Sequence, residues 1–358
     1  MPKKVLFLYK TPRKEVYRLW KSKKGPDTIL YGANHLEKLG YDVKFFDIAF
    51  SKLNPLRWLF YPIHLMAAKT TGIGFKIDQA ISLFPVINKS DIIVSTIDTA
   101  GLPILLFKKV GIIKKPLIYI SVDFAYRLEN NKNNRLFSWY KNLLKFADVI
   151  ICYSEGEQSI LKKYNKTFVL TPGIDWEFFA KGIELPNKAN VDVLAFGRDH
   201  DRDYETFVTA LSKDINGVIV CSPENLKNIE VPKNIKVFFN IEPKQLRQLI
   251  NSAKVVVIPI KKVQRASGQL SFLESISSKK PTIVTNVPAI KETYGLNNKI
   301  DCLFYEAQVA SDLRSKILYL LSEPRIAQRI AKKGQLKAKQ YSTAAFAVQL
   351  SGVIRKLA

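Results

Sequence analysis

Short apolar runs alternate with amphipathic stretches along the chain, the rhythm of a β/α protein. Residues 5–9, Val-Leu-Phe-Leu-Tyr, read as a short buried strand. Residues 28–39 then place Ile29, Leu30, Ala33, Leu36 and Leu39 at helical spacing. Gly40 stops that helix and residues 41–48 resume as a strand, a β-α-β unit that implies a parallel sheet. Strand-like runs recur at 91–96, 116–121 and 149–152, with room for a helix between them. After Thr171-Pro-Gly-Ile-Asp175 the rhythm restarts, with runs at 191–196, 217–221, 235–239, 255–258, 282–285 and 302–304. From about Val309 the pattern is helical, and Tyr341-Ser-Thr343 predicts a cap and break before a last amphipathic helix. The expected division is 1–172, 173–340 and a C-terminal helix 341–358, with the polar stretch 184–190 as a candidate linker.

Composition narrows the class. The chain has 358 residues, 47% of them hydrophobic and 24% charged, which excludes a disordered or collagenous polymer and a small disulfide scaffold. Its 56 Lys and Arg against 31 Asp and Glu leave +25, enough to attract nucleic acid, an anionic membrane or phosphorylated small molecules. Cys152, Cys221 and Cys302 stand apart in apolar segments, which fits a reducing cytosol better than a disulfide framework or a zinc site. About five apolar residues follow Met1-Pro-Lys-Lys4, too few for a signal-peptide core, so a chain that is not secreted is expected. The greasiest run, 58–68, is broken by Pro62 and His64 and is about half the roughly 20 residues that a membrane span needs.

Two constellations in the rear half carry chemistry. In the first, an apolar strand runs into Gly197-Arg198-Asp-His-Asp-Arg202 and then a helix. A loop in that place lies at the carboxyl edge of a parallel sheet, where ligands of open α/β folds bind, and Arg198 and Arg202 offer forks suited to phosphate. The plainer alternative is a solvated loop whose Arg and Asp residues pair with one another. Asp199-His-Asp201 and Asp201-Arg-Asp203 also resemble a divalent-cation clamp, against which the interleaved arginines argue. In the second constellation, the run 255–260 leads through a basic loop to Ser267-Gly268-Gln269 and the helix that begins near Leu270. Main-chain N–H groups there can face an anion, with Gly268 allowing close approach. Glu274, one turn in, can accept two hydrogen bonds from a ribose diol, or be a surface residue of an amphipathic helix.

Together these motifs resemble nucleotide-sugar-dependent glycosyltransferases of the GT-B fold, closest to the family 4 type, over nearly the whole chain. Gly197-Arg198 with Arg202 is similar to that family's Gly-Arg loop and its following lysine. The stretch from Ala266 to Glu274, followed by Lys279-Lys-Pro-Thr-Ile283, is similar to its pair of glutamates separated by seven residues and the strand after them. Pro172-Gly-Ile-Asp175 with Phe178 and Phe179, and Thr285-Asn-Val-Pro-Ala-Ile-Lys-Glu292, match further family segments. Two departures stand out: Ala266 replaces the first glutamate, and a polar insert at 10–24 replaces the usual short Gly-Gly loop.

The resemblance implies two Rossmann-like β/α/β domains with an interdomain cleft, and a C-terminal helix crossing back to the first domain. It implies transfer of a sugar from a nucleotide diphosphate to a hydroxyl of a lipid-linked or cell-surface glycan, with no metal or other cofactor and with retention of configuration. Donor-binding residues are then Gly197, Arg198, Arg202, Ser267, Gly268, Gln269, Leu270 and Glu274, and catalytic residues Arg198, Arg202 and Asp123. Asp123 follows the apolar run at 116–121, similar to the His or His-Asp that the family carries over the acceptor, and is otherwise a helix cap. Arg202→Ala is expected to abolish most transfer and spare the fold. Residues 49–76 intersperse Leu53, Trp58, Leu59, Phe60, Tyr61, Ile63, Leu65 and Met66 with Lys52, Arg57, Lys69 and Lys76, the composition of an anionic-membrane anchor or of a buried helix. The expected location is cytoplasmic, at the inner face of the cell membrane. Two other classes remain open: a catalytically silent GT-B subunit, suggested by Ala266, and a basic nucleic-acid-binding protein, disfavoured by the lack of any recognised nucleic-acid motif.

Overall fold

The computed structural model describes residues 2–182, 191–263 and 265–357. The candidate linker at 184–190 lies outside them.

The chain divides into two compact units, one of residues 1–22, 27–171 and 344–358, the other of 23–26 and 172–343. Each is built on a six-stranded sheet whose neighbouring strands are all parallel. The first contains β1 (Lys4–Leu8), β2 (Asp42–Lys44), β3 (Ile92–Ser95), β4 (Leu117–Ile120), β5 (Val149–Cys152) and β6 (Thr167–Val169), in the order β2-β1-β3-β4-β5-β6. The second contains β7 (Val191–Phe196), β8 (Gly217–Cys221), β9 (Ile235–Phe239), β10 (Ala253–Ile258), β11 (Thr282–Thr285) and β12 (Leu303–Tyr305), in the order β12-β11-β10-β7-β8-β9. This is the doubly wound arrangement of the GT-B fold. Inner strands such as Ile92–Ser95 and Val191–Phe196 are buried throughout, because helices cover both faces of the sheet, and continuous apolar runs are what such strands require.

Strand order matters more for function than strand count. In the first sheet the winding reverses between β1 and β3, in the second between β7 and β10. The carboxyl ends of the strands at such a reversal are the usual ligand position in such folds.

Residues 28–39 do not form the single helix that their spacing predicts. A 3-10 turn at Thr28–Leu30, a short helix at Ala33–Leu36 and a second 3-10 turn at Glu37–Leu39 replace it. The break falls at Tyr31 and Gly32, which take φ of 53° and 74°. At Gly32 a side chain would meet the Ala347 Cβ at 3.0 Å, so the close approach of the C-terminal segment selects the kink. Other ties to that segment are the Thr171 N–H donating to Gln349 at 3.1 Å and a 3.0 Å bond between the Tyr41 and Ser351 hydroxyls. The polar insert at 10–24 holds a helix, Lys14–Lys21, with no buried residue. Residues 149–152 end near Ser154, whose hydroxyl accepts the Glu157 N–H while the Glu157 carboxylate accepts the Tyr153 N–H, a reciprocal cap. All three cysteines are buried and free, and burial pushes the Cys221 thiol up to about 11 and the other two higher still.

Candidate active site

The two rear-half constellations meet at the switch point of the second sheet. One loop leaves β7 and the other leaves β10, its hydrogen-bonded neighbour. Backbone bonds zip them together: Asp203 N–H donates to Pro259 at 3.2 Å, Lys261 N–H donates to Asp201 at 2.8 Å, and Arg202 pairs with Ile260 in an antiparallel bridge.

Arg202 is the centre of this arrangement. Its side chain is 2% exposed. Nε donates to Asp199 at 2.8 Å and one terminal nitrogen donates to the Ser271 hydroxyl at 2.9 Å. The other terminal nitrogen, Nη1, is buried and has no hydrogen-bond partner among the described residues. A buried guanidinium N–H without an acceptor is costly. Gly197 makes room for it. With φ at 145° the residue takes a conformation that favours glycine, and a Cβ there would lie 2.2 Å from the guanidinium carbon. The Tyr204 hydroxyl fixes the same turn by donating to the Gly197 carbonyl at 2.7 Å.

Asp199 holds the guanidinium. Burial works against its charge, yet Arg202, the Ser267 hydroxyl and Arg265 outweigh that and hold its pKa down at about 2. Ser267 donates to Asp199 at 2.6 Å, and Arg265 pairs through Nε with the buried Asp201. Of the three carboxylates of the cation-clamp alternative, Asp199 and Asp201 are engaged by arginines, while Asp203 accepts the Thr206 N–H at 3.2 Å as a helix cap. Among the described residues there is no group of three His, Cys, Asp or Glu able to hold a metal ion.

Each expected donor residue has a definite place. Arg198 is exposed and donates to the Ile241 carbonyl at 3.1 Å. It and Arg202 both lie within electrostatic reach of Glu274, so this structure gathers the three. Burial of the Glu274 carboxyl pushes its pKa up to about 8, against the pull of the two arginines. Gly268, at φ 76°, precedes the Gln269–Ser277 helix, and no acceptor is present for its N–H or that of Leu270 among the described residues. The expectation that the Ser267 amide faces a ligand is corrected: that N–H donates to the Arg265 carbonyl at 2.8 Å, and the hydroxyl serves Asp199. The Gln269 side chain points to fold maintenance, donating to the Ala289 carbonyl at 2.9 Å. Ser271 was not legible as a partner of Arg202, since their meeting depends on β7 and β10 being neighbours.

Asp123 belongs to the first unit, as the residue before the Phe124–Asn130 helix. The capping alternative fails, because its side chain makes no cap bond, and Arg127 lies 3.9 Å away. Beside it, sequence reading missed Asp98. Asp98 is buried and accepts from the Tyr119 hydroxyl at 2.6 Å and from the Asp123 N–H at 2.8 Å, so it anchors the loop that presents Asp123. Burial raises its pKa to about 6. Its place just after β3, at the same sheet edge, was the available signal.

The Glu274 environment has a measurable consequence. A carboxyl whose pKa is raised from 4.5 to about 8 by folding binds more protons in the native than in the unfolded chain, so stability falls as pH rises through that window. The melting temperature is expected to drop between pH 5 and pH 8, and Glu274→Gln to flatten that drop. Equal pH profiles of the two proteins in a thermal-melt series would contradict the assignment.

Comparison with known proteins gives the site its context. Residues 222–337 match the family model described as glycosyl transferases group 1. No curated protein matches the chain significantly. Among solved structures, Anabaena HepE in complex with UDP-glucose superposes with a TM-score of 0.70 at 15% identity, covering 99% of both chains. The sucrose-phosphate synthase of Thermosynechococcus elongatus gives 0.73 at 14% identity, covering 100% of this chain and 99% of that one. The trehalose-6-phosphate synthase OtsA gives 0.69 at 11%, covering 99% of each. At these identities the likeness carries the fold: the chain has the GT-B fold, and its residues 222–337, which begin after Gly197, Arg198 and Arg202, match the glycosyl transferases group 1 model, which supports a glycosyltransferase.

Proposed function

We propose that the protein moves a sugar from a nucleotide diphosphate donor to a hydroxyl of a lipid-linked or cell-surface glycan acceptor, with retention and without a metal ion. The observation that carries this reading is the buried, unpartnered Nη1 of Arg202 at the switch point of the second sheet. In this reading Arg202, Arg198 and the Gly268 and Leu270 amides stabilise the charge that builds on the departing diphosphate, which supplies the electrostatic help a metal would otherwise give. Glu274 takes the ribose diol or an adjoining sugar hydroxyl. The engagement of Asp199 and Asp201 by arginines supports metal independence. Asp123 orients the acceptor. HepE was solved with UDP-glucose, which favours a uridine donor here as well. Retention rests on the resemblance to the family 4 type, in which Ala266 is a departure.

A place at the inner face of the cell membrane fits the first unit. No helix among the described residues is long and apolar enough to cross a membrane. The Pro55–Thr71 helix instead presents an apolar stripe to solvent: Trp58, Leu59 and Met66 are 66%, 67% and 59% exposed, and Pro62, Leu65 and Lys69 complete the same side. Rings, aliphatic side chains and a flanking lysine on one side of a helix suit an anionic lipid surface.

Screening nucleotide sugars by thermal melting tests the donor assignment. A true donor at a hundredfold excess over its Kd is expected to raise the melting temperature by about 3–4 °C, with no change on adding EDTA. A panel that leaves the melting temperature unmoved refutes the reading.

A further inference from the structure

The switch point of the first sheet, between β1 and β3, holds a second concentration of charge. Lys10 stands two residues beyond β1, and the Gln79 side chain fixes its neighbour by donating to the Tyr9 carbonyl at 2.9 Å. Lys76 is tied to the first turn after β3, its N–H donating to Thr99 at 3.2 Å. Arg57 and Lys76 meet at Phe50: the Arg57 guanidinium donates to its carbonyl at 2.8 Å, and the Lys76 ammonium lies 5.3 Å from its ring centre. His64 projects from the exposed apolar helix and packs against Gly74, where any side chain would strike the imidazole. Its Nδ1 is buried without a hydrogen-bond partner, as is the Gln79 Oε1. Lys10 and Lys76 both act on the His64 ring, and Arg57 and Lys10 act on Lys76, so the four groups share one neighbourhood. Asp78 is the carboxylate they face, leaving three permanent cations against one anion. Crowded like charges at a ligand-binding sheet edge are costly unless an anion joins them.

We propose that Lys10, Arg57, His64 and Lys76 hold the phosphate or diphosphate of a lipid-linked acceptor whose hydrocarbon lies along the exposed side of the Pro55–Thr71 helix. This rests on the transferase reading above and names its acceptor class. Two of the four groups, Arg57 and His64, stand on the very helix whose other side is apolar, so one ligand with a charged head and a greasy tail satisfies both features.

The test is binding of the full chain to phosphatidylcholine vesicles that carry a long-chain alkyl diphosphate, against vesicles brought to equal charge with phosphatidylglycerol. Wild type is expected to prefer the alkyl diphosphate. Lys10→Gln with Lys76→Gln should weaken that binding at least about tenfold, since two charge-assisted contacts are lost, and Lys76→Arg should retain it. Lys109→Gln with Lys114→Gln, the same charge change on exposed residues at the opposite end of the sheet, should alter it less than about twofold. Equal losses in the two double variants, or no preference between vesicles, would overturn the proposal. Inorganic pyrophosphate as competitor separates the sources: displacement at the same concentration as the alkyl diphosphate would show that the tail contributes nothing and refute the lipid assignment. Unchanged melting temperatures confirm that the variants fold. Failure of the underlying transferase reading shows separately, as an absence of stabilisation by any nucleotide sugar.

Discussion

Arg202→Lys is expected to lower kcat/KM for sugar transfer by about a hundredfold, the scale on which removal of one fixed donor to a developing anion is felt. Lysine keeps the charge but not the fork. Its three N–H groups diverge from one nitrogen, so even where related sequences carry lysine it cannot span the separate Nε and Nη2 positions that bond Asp199 and Ser271 here while also reaching a phosphate. The loss is expected in kcat as much as in KM, since the leaving group gains charge in the transition state. Rates measured with the nucleotide sugar that stabilises the chain most would check this, and a variant within threefold of wild type would remove Arg202 from the chemistry. The sequence alone suggested alanine as a substitution that spares the fold. Burial of Arg202 corrects that: alanine leaves a cavity and deprives Asp199 of its main partner, so a fall in stability accompanies the fall in rate.

Gly197→Ala should be damaging by a different route. The new Cβ would sit within 2.4 Å of three guanidinium atoms of Arg202, and φ of 145° is strained for any residue but glycine. We expect a stability loss of about 2–4 kcal/mol, seen as a lower melting temperature, together with loss of stabilisation by the donor. The coupling of the two effects is informative. A variant that melts as wild type and still binds donor would mean that the Arg202 position is adjustable and the site less rigid than its hydrogen bonds indicate.

How far the sequence disclosed this depends on what each feature needs. Parallel strands buried on both faces must be continuous apolar runs, so Val149–Cys152, Val191–Phe196 and Gly217–Cys221 were readable to the residue. Thr167–Val169 escaped notice because it is an edge strand, half-buried at every position, and carries no such run. The helix expected at 28–39 failed because helical spacing cannot report that Ala347, more than three hundred residues away, presses on Gly32. In the candidate site the arginines and Gly268 stood in a local strand-loop-helix pattern and were legible. The bonds of Arg202 to Ser271 and of Ser267 to Asp199 join residues about seventy positions apart, and they exist because β10 returns to lie beside β7. Strand order, which no local pattern encodes, decides them. Of the two readings of the Gly197–Arg202 loop, each held a part of the answer: Arg202 does pair with Asp199, and that pairing is what leaves its remaining nitrogen fixed and unsatisfied.

The three sequestered thiols have a practical corollary. A thiol kept neutral by its surroundings reacts slowly with maleimides, because the thiolate is the nucleophile. A cysteine introduced on an exposed position of either unit would therefore take a fluorophore or spin label in the wild-type background, with no need to engineer away the native ones.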